Sequence, residues 1–162
     1  MIRSAKREDF EKIKEIYAIA RKRMREGGNP TQWGVSYPPD ELILEDIEGE
    51  NLYVLEENDV HAVFFFRIGE DATYRVIEGG EWLSSSPYGV IHRVASDGRV
   101  KGVLPKIVRF CEEKIRHLRI DTHENNLVMR HQIEKCGFSR RGVIYTHGDG
   151  AEDRARIAYE KC

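Results

Sequence analysis

Residues 90–114, VIHRVASDGRVKGVLPKIVRFCEEK, constrain the fold more than any other stretch of the chain. Val90, Ile91, Val94 and Ala95 read as a buried strand, Gly98 and Gly102 punctuate a polar loop, and Val103, Ile107, Val108, Cys111 and Ile115 recur on one face of a helix. A helix N-terminus presents N–H groups without intrahelical partners and the positive end of its dipole. A loop with little side-chain bulk in front of it can therefore receive a phosphate. Residues 99–104 are expected to hold the pyrophosphate of a nucleotide-containing ligand. No Gly-Lys-Ser/Thr follows, which excludes a Walker loop, and the three-glycine spacing of a dinucleotide fingerprint is missing.

The flanking sequence supplies a sheet and further helices. Residues 2–5 read as a first strand. Phe10, Ile13, Ile16, Tyr17, Ala20 and Met24 then give an amphipathic helix over 8–25, closed by Gly27-Gly28. Residues 27–39 are turn-rich yet carry Trp33 and Tyr37, which either cover a core or line a pocket. A short helix over 40–47 follows Pro39, and 51–55 and 60–68 read as strands joined by a polar turn. The run HAVFFFR is too apolar for a strand with a wet face, so it is expected at the centre of the sheet, buried on both sides. Residues 69–87 show no period; Thr73, Tyr74, Val76 and Ile77 suggest a short strand or turn, with Trp82 packed nearby. A strand over 118–123 places Ile120 and Thr122 on one face and Arg119, Asp121 and His123 on the other. A helix over 126–135 stops at Gly137, and 138–145 and 156–160 form a terminal antiparallel pair linked by HGDGAED.

Composition narrows the class. A chain of 162 residues with 40% hydrophobic residues is expected to form a single domain over 1–162 with a real core. Net charge is −2 and the basic residues are spread along the length, so nothing points to nucleic acid. Three cysteines, Cys111, Cys136 and Cys162, have no metal-ligand spacing and are read as reduced; His117, His123 and His131 fit no metal motif either. MIRSAKREDF is charged from its third residue, and no apolar run reaches membrane-spanning length. The expectation is a cytoplasmic protein, monomer or homodimer, without a metal, membrane or nucleic-acid partner.

The order β-α-α-β-β-β-α-β-α-β-β, the loop Arg99-Val100-Lys101-Gly102 and the run from Asn126 to Cys136-Gly137-Phe138 together resemble the GNAT superfamily of acyl-CoA N-acyltransferases. The resemblance covers nearly the whole chain, including the opening IRSAKREDFEKI. Of the family signature, Arg or Gln followed by x-x-Gly-x-Gly/Ala, Arg99 and Gly102 match, whereas Leu104 puts a bulky side chain at the last position. Pro105 lacks an N–H but sits in a first helical turn, where none is needed. The resemblance implies an α/β (α+β) fold with a mixed, mostly antiparallel sheet of about seven strands and helices on both faces. It implies acetyl-CoA as cofactor, and direct transfer of its acetyl group, in a ternary complex, to a primary amine of a small-molecule or peptide acceptor. A non-catalytic acyl-CoA-binding sensor or scaffold is the alternative from another class.

The resemblance also assigns residues. Val94 and Ser96 would bond the pantetheine arm through the backbone, with the N–H of Val94 or Ala95 as oxyanion donor. Arg99, Val100, Lys101, Gly102, Val103 and Leu104 would hold the pyrophosphate, and Asn126 would cap the next helix and touch the cofactor. An alkylammonium acceptor needs a base. Asp121, His92 and His123 are the candidates, an Asp121–His123 pair being one way to fix a tautomer; histidine ordinarily titrates at about 6.5. Each has a plain structural reading too, such as pairing of Asp121 with Arg119 or Arg93. Where the family often has an acidic Tyr this chain has Ile133, and Tyr145 or Tyr88 could substitute. Trp33, Tyr37, Trp82 and Tyr88 are the candidate acceptor wall.

Overall fold

The computed structural model describes residues 1–147 and 153–162. Strands β1 (Ile2–Ser4), β2 (Leu52–Glu57), β3 (Asp59–Ile68), β4 (Gly89–Ser96), β5 (Leu118–Thr122), β6 (Ser139–Tyr145) and β7 (Ala155–Lys161) form one sheet in the order β1-β2-β3-β4-β5-β7-β6. Among the described residues, only the β4–β5 pair is parallel. Helices α1 (Phe10–Glu26) and α2 (Asp40–Glu48) cover one face, packing Ile13, Ile16, Tyr17, Ile43 and Ile47 on Leu52, Val54 and Val63. Helices α3 (Val103–Glu112) and α4 (Leu127–Lys135) cover the other, where Leu104, Ile107, Cys111 and Ile133 meet Phe64, Phe66, Ile91 and Ile120. With helices on both faces and β2 and β4 beside it, β3 has no wet side, and Ala62, Val63, Phe64 and Phe66 are all buried.

Three local readings change. Helix α1 starts at Phe10 behind a 3-10 turn, Arg7–Asp9, because the Asp9 carboxylate accepts from the Lys6 N–H and the Arg3 guanidinium. Residues 69–88 contribute only the 3-10 turn Ala72–Tyr74 and a single bridge between Glu78 and Val143. They lie as a cover over Val90, Ile144 and Ala158, with Tyr74 and Tyr88 as its buried side. Strand β5 ends at Thr122, one residue before His123. In the link HGDGAED, residues 148–152 lie outside those described. Among the described residues, no helix is long and apolar enough to cross a membrane.

The site is made by two irregularities in β4. Pairing with β5 runs only from Gly89↔Leu118 to Ile91↔Ile120, so beyond Ile91 the two strands part. Against β3, the pairing shifts by one residue between Val63↔Ala95 and Phe65↔His92, which leaves one extra residue in β4; at Arg93 the backbone is left-handed, with φ +50°. For a residue with a Cβ this conformation costs about 1–2 kcal/mol. It is held from the α1–α2 side: the Tyr17 hydroxyl donates to the Arg93 carbonyl at 3.0 Å, and the buried Asp46 carboxylate takes the Arg93 guanidinium at 2.8 and 2.9 Å.

Candidate active site

Two cavities adjoin at the parting of β4 and β5. One, of about 670 Å³, is a groove between the loop before α3, the end of β4 and the start of α4; its walls include Val94, Ser96, Val103, Leu127, Val128 and Met129. Leu127 and Val128 are exposed, 68% and 70%, so this groove carries apolar surface that a ligand would cover. At its polar end Gly102 takes φ +66° as the residue before α3, a left-handed turn that glycine enters without strain. Among the described residues, the N–H groups of Val100, Lys101, Gly102, Val103 and Leu104 have no partner. A run of free amides ending at a helix N-terminus is an anion cradle. Its approach is rigid: Asp97 accepts from the Arg99 N–H at 2.9 Å and pairs with His61 at 2.8 Å, while Arg23 donates to the Asp97 carbonyl. One buried polar atom at the groove, Asn29 Oδ1, lacks a protein partner.

The second cavity, of about 240 Å³, lies on the α1–α2 side and shares Met24, Val94, Asn126 and Met129 with the groove. Its polar side is a chain of contacts around His92. His92 Nε2 is 2.8 Å from Asp71 Oδ2, and His92 Nδ1 is 3.5 Å from Asp121 Oδ2. Asp71 Oδ1 accepts from both the N–H and the hydroxyl of Thr73, and the Asp71 N–H donates to the Tyr88 hydroxyl. Burial would raise the Asp71 carboxyl, but His92 and Thr73 outweigh it and hold it far below the usual carboxylate range. The Tyr74 hydroxyl donates to Asp121 at 2.6 Å; burial first, then the Asp121 charge, push that phenol well above its ordinary value. Since ionised Asp71 can only accept, the neutral imidazole carries its proton on Nε2, and Nδ1 is the nitrogen with a lone pair. The apolar wall of the cavity carries Trp33 and Tyr37, whereas Phe65 pairs with His92 across the sheet and packs beside it, ring centroids 5.8 Å apart.

Comparison with known proteins bears on the whole of this architecture. No protein-family model matches the chain and no curated protein matches it. Among solved structures, a GNAT-family acetyltransferase from Streptococcus agalactiae superposes with a TM-score of 0.87 over 99% of this chain and 94% of its own, at 26% identity. The fold is that of the GNAT superfamily. A GNAT-family acetyltransferase from Listeria monocytogenes is similar at TM-score 0.70 and 19% identity, covering 99% of this chain and 93% of its own. A GNAT-superfamily phosphinothricin acetyltransferase from Sinorhizobium meliloti, solved in complex with acetyl-CoA, is similar at 0.61 and 16%, covering 99% and 86%.

Within this GNAT fold the residues singled out from the sequence fall into two groups. Val94, Ser96, Val100, Lys101, Gly102, Val103, Leu104 and Asn126 all line the groove. Leu104 is 2% exposed and packs into the core, so its bulk points away from the cradle. Asn126 caps α4, accepting from the Met129 N–H, and also donates to Gln32. His92 and Asp121 face the second cavity together, as do Trp33 and Tyr37.

Five others lie elsewhere. Arg99 gives its N–H to Asp97 and its side chain lies on a separate surface depression beside Lys12 and Ile19. His123 lies past the end of β5, so strand alternation no longer aims it beside Asp121; it accepts from the Asn125 N–H and donates to Asp153, using both ring nitrogens in the turn. Tyr145 is on the edge strand and its hydroxyl donates to Glu78. Trp82 and Tyr88 sandwich the Arg119 guanidinium, each ring centroid 3.9 Å from it, and Arg119 in turn reaches Glu160 and the Ser84 carbonyl. That sandwich fastens the 69–88 cover and leaves neither ring in the cavity. The sequence reading did not name Asp71, and took Thr73 and Tyr74 for a strand or turn without a place in the site; Asp-x-Thr is a turn-capping pattern, the one local signal at that place.

Proposed function

We propose that this protein transfers an acetyl group from acetyl-CoA to a primary amine, by direct attack in a ternary complex. The observation that carries the reading is the adjoining pair of cavities: a groove ending in an anion cradle, and a smaller chamber with an imidazole between two carboxylates, sharing one wall at the parting of β4 and β5. Acetyl-CoA, when bound, supplies an acyl carbon whose bond to sulfur is exchanged for one to the amine nitrogen, with the amine proton passing to a base and the thiol released.

The amides of residues 100–104 and the Gly102 turn would hold the phosphates, and the apolar walls at Leu127, Val128 and Val103 would cover the arm. The backbone N–H of Val94 or Ala95, next to the bulge, is the donor assigned to negative charge developing on the acyl oxygen. His92 acts as the base through Nδ1. Asp71 fixes its tautomer from Nε2, and Asp121 stands beside Nδ1 to meet the charge that arrives there. Tyr74 holds Asp121 in place. Among the described residues no cysteine lines either cavity, so transfer through an enzyme thiol has no candidate there. Cys111 is buried among Ile107 and Leu118, and that burial pushes its thiol up to about 12, leaving it protonated at neutral pH.

The test is thiol release on mixing the protein with acetyl-CoA and a panel of amines. Amine-dependent release, with the N-acetylated product found by mass, is the expected result. Binding of acetyl-CoA with no release across the panel would replace this reading by that of a sensor or scaffold.

A further inference from the structure

The geometry points to a small primary amine with a compact apolar or aromatic body as the acceptor, in preference to a polyamine or a peptide N-terminus. This rests on the acyl-transfer reading and narrows it. The chamber of about 240 Å³ holds the equivalent of about eight waters at about 30 Å³ each, which suits an amine about the size of 2-phenylethylamine.

Its charges favour an ammonium. Both guanidiniums that line it are engaged: Arg93 with Asp46, and Arg156 with the carbonyls of Gln32, Asp153 and Ala155. The two carboxylates, Asp71 and Asp121, lie on the polar side, with His92 between them and exposed His147 at the margin. An ammonium seated there lies next to the nitrogen that is to take its proton.

The other side fixes the body of the molecule. Trp33 and Tyr37 present ring surface, with centroids 6.2 Å apart, and Trp33 is itself positioned edge-on against buried Tyr17, with centroids 5.7 Å apart. A flexible polyamine would leave this surface in contact with methylenes only and would need further carboxylates for its remaining charges; among the described residues that line the chamber, Asp71 and Asp121 are the two carboxylates. An extended peptide would bring backbone polar groups against rings that offer them few partners.

The test uses the protein saturated with CoA, which lacks an acyl group and permits no turnover. Calorimetry with 2-phenylethylamine, spermidine and a free-amine tetrapeptide is expected to show at least tenfold tighter binding of the first. Turnover with acetyl-CoA should favour it in kcat/KM by at least the same factor. Trp33→Ala is expected to lower its affinity at least tenfold while CoA affinity, a check that the fold survives, stays within twofold. Tyr37→Leu should weaken it in the same direction. Preference for spermidine or the peptide, weak binding of all three, or phenylethylamine affinity unmoved in both variants would overturn the acceptor assignment while leaving acyl transfer standing. Failure to bind CoA at all would overturn both.

Discussion

Replacing His92 by alanine is expected to lower kcat by about 10²–10⁴, the range a positioned general base contributes, with little change in acetyl-CoA affinity. The imidazole faces the chamber and lies off the groove, so cofactor contacts survive its loss. The pH profile separates it from its neighbours. A base works unprotonated, so the wild-type rate falls on the acid side, and only the variant lacking the true base loses that acid limb. Asp121→Asn should slow turnover less and keep the limb, because Asp121 receives charge through His92. Asp71→Asn should also keep a limb, at reduced rate, since an amide in place of the carboxylate no longer dictates which ring nitrogen holds the proton. A flat acid limb in Asp121→Asn, with the limb intact in His92→Ala, would move the base to Asp121.

The second large effect concerns stability. Arg93→Ala is expected to cost about 3–5 kcal/mol, the usual penalty for leaving a buried charge without its partner. Asp46 is 6% exposed and Arg93 is the cation that meets it. Alanine would also keep the left-handed backbone of φ +50°. Arg93→Gly loses the same ion pair but is free of that strain, so it should be more stable than Arg93→Ala by about 1 kcal/mol. Neutralising the stranded carboxylate, with Asp46→Asn on the Arg93→Ala background, should restore part of the loss. Urea unfolding measures all three. A cost under 1 kcal/mol for Arg93→Ala would mean that the pair does not hold the bulge.

Much of this architecture was legible in the sequence because it is written in local periodicity. The apolar run of β3 announced a central strand, and the 3.6-residue spacing along α1 and α3 gave their buried faces. Element order carried the topology, and the glycines at 98 and 102 marked the left-handed turns of the loop before α3. Alternation along β5 was enough to turn Asp121 toward the strand gap, but it failed one residue beyond the strand end, where His123 joins the turn and pairs with Asp153. The aperiodic stretch 69–88 hid the most. Asp71 meets His92 across 21 positions through a cover whose path follows from Tyr74, Trp82 and Tyr88 packing on β4, β5 and β7, and no local pattern encodes that docking. Aromatic residues in a loop gave two outcomes for the same reason. Trp33 and Tyr37 lie over the parting of the strands, whereas Trp82 and Tyr88 lie over Arg119, a cation on the same face of β5 as Asp121.

The central claim is that acetyl-CoA occupies the groove between β4, α3 and α4, and amide hydrogen exchange with and without it tests this most directly. Slowed exchange on binding is expected at residues 94–96 and 100–104 and along the first turn of α4, with little change in β1, β2 or the edge of β6. Binding that leaves 100–104 unprotected, or no binding at concentrations where linkage would add about 2.7 kcal/mol of stability at a hundred times a micromolar Kd, would contradict it.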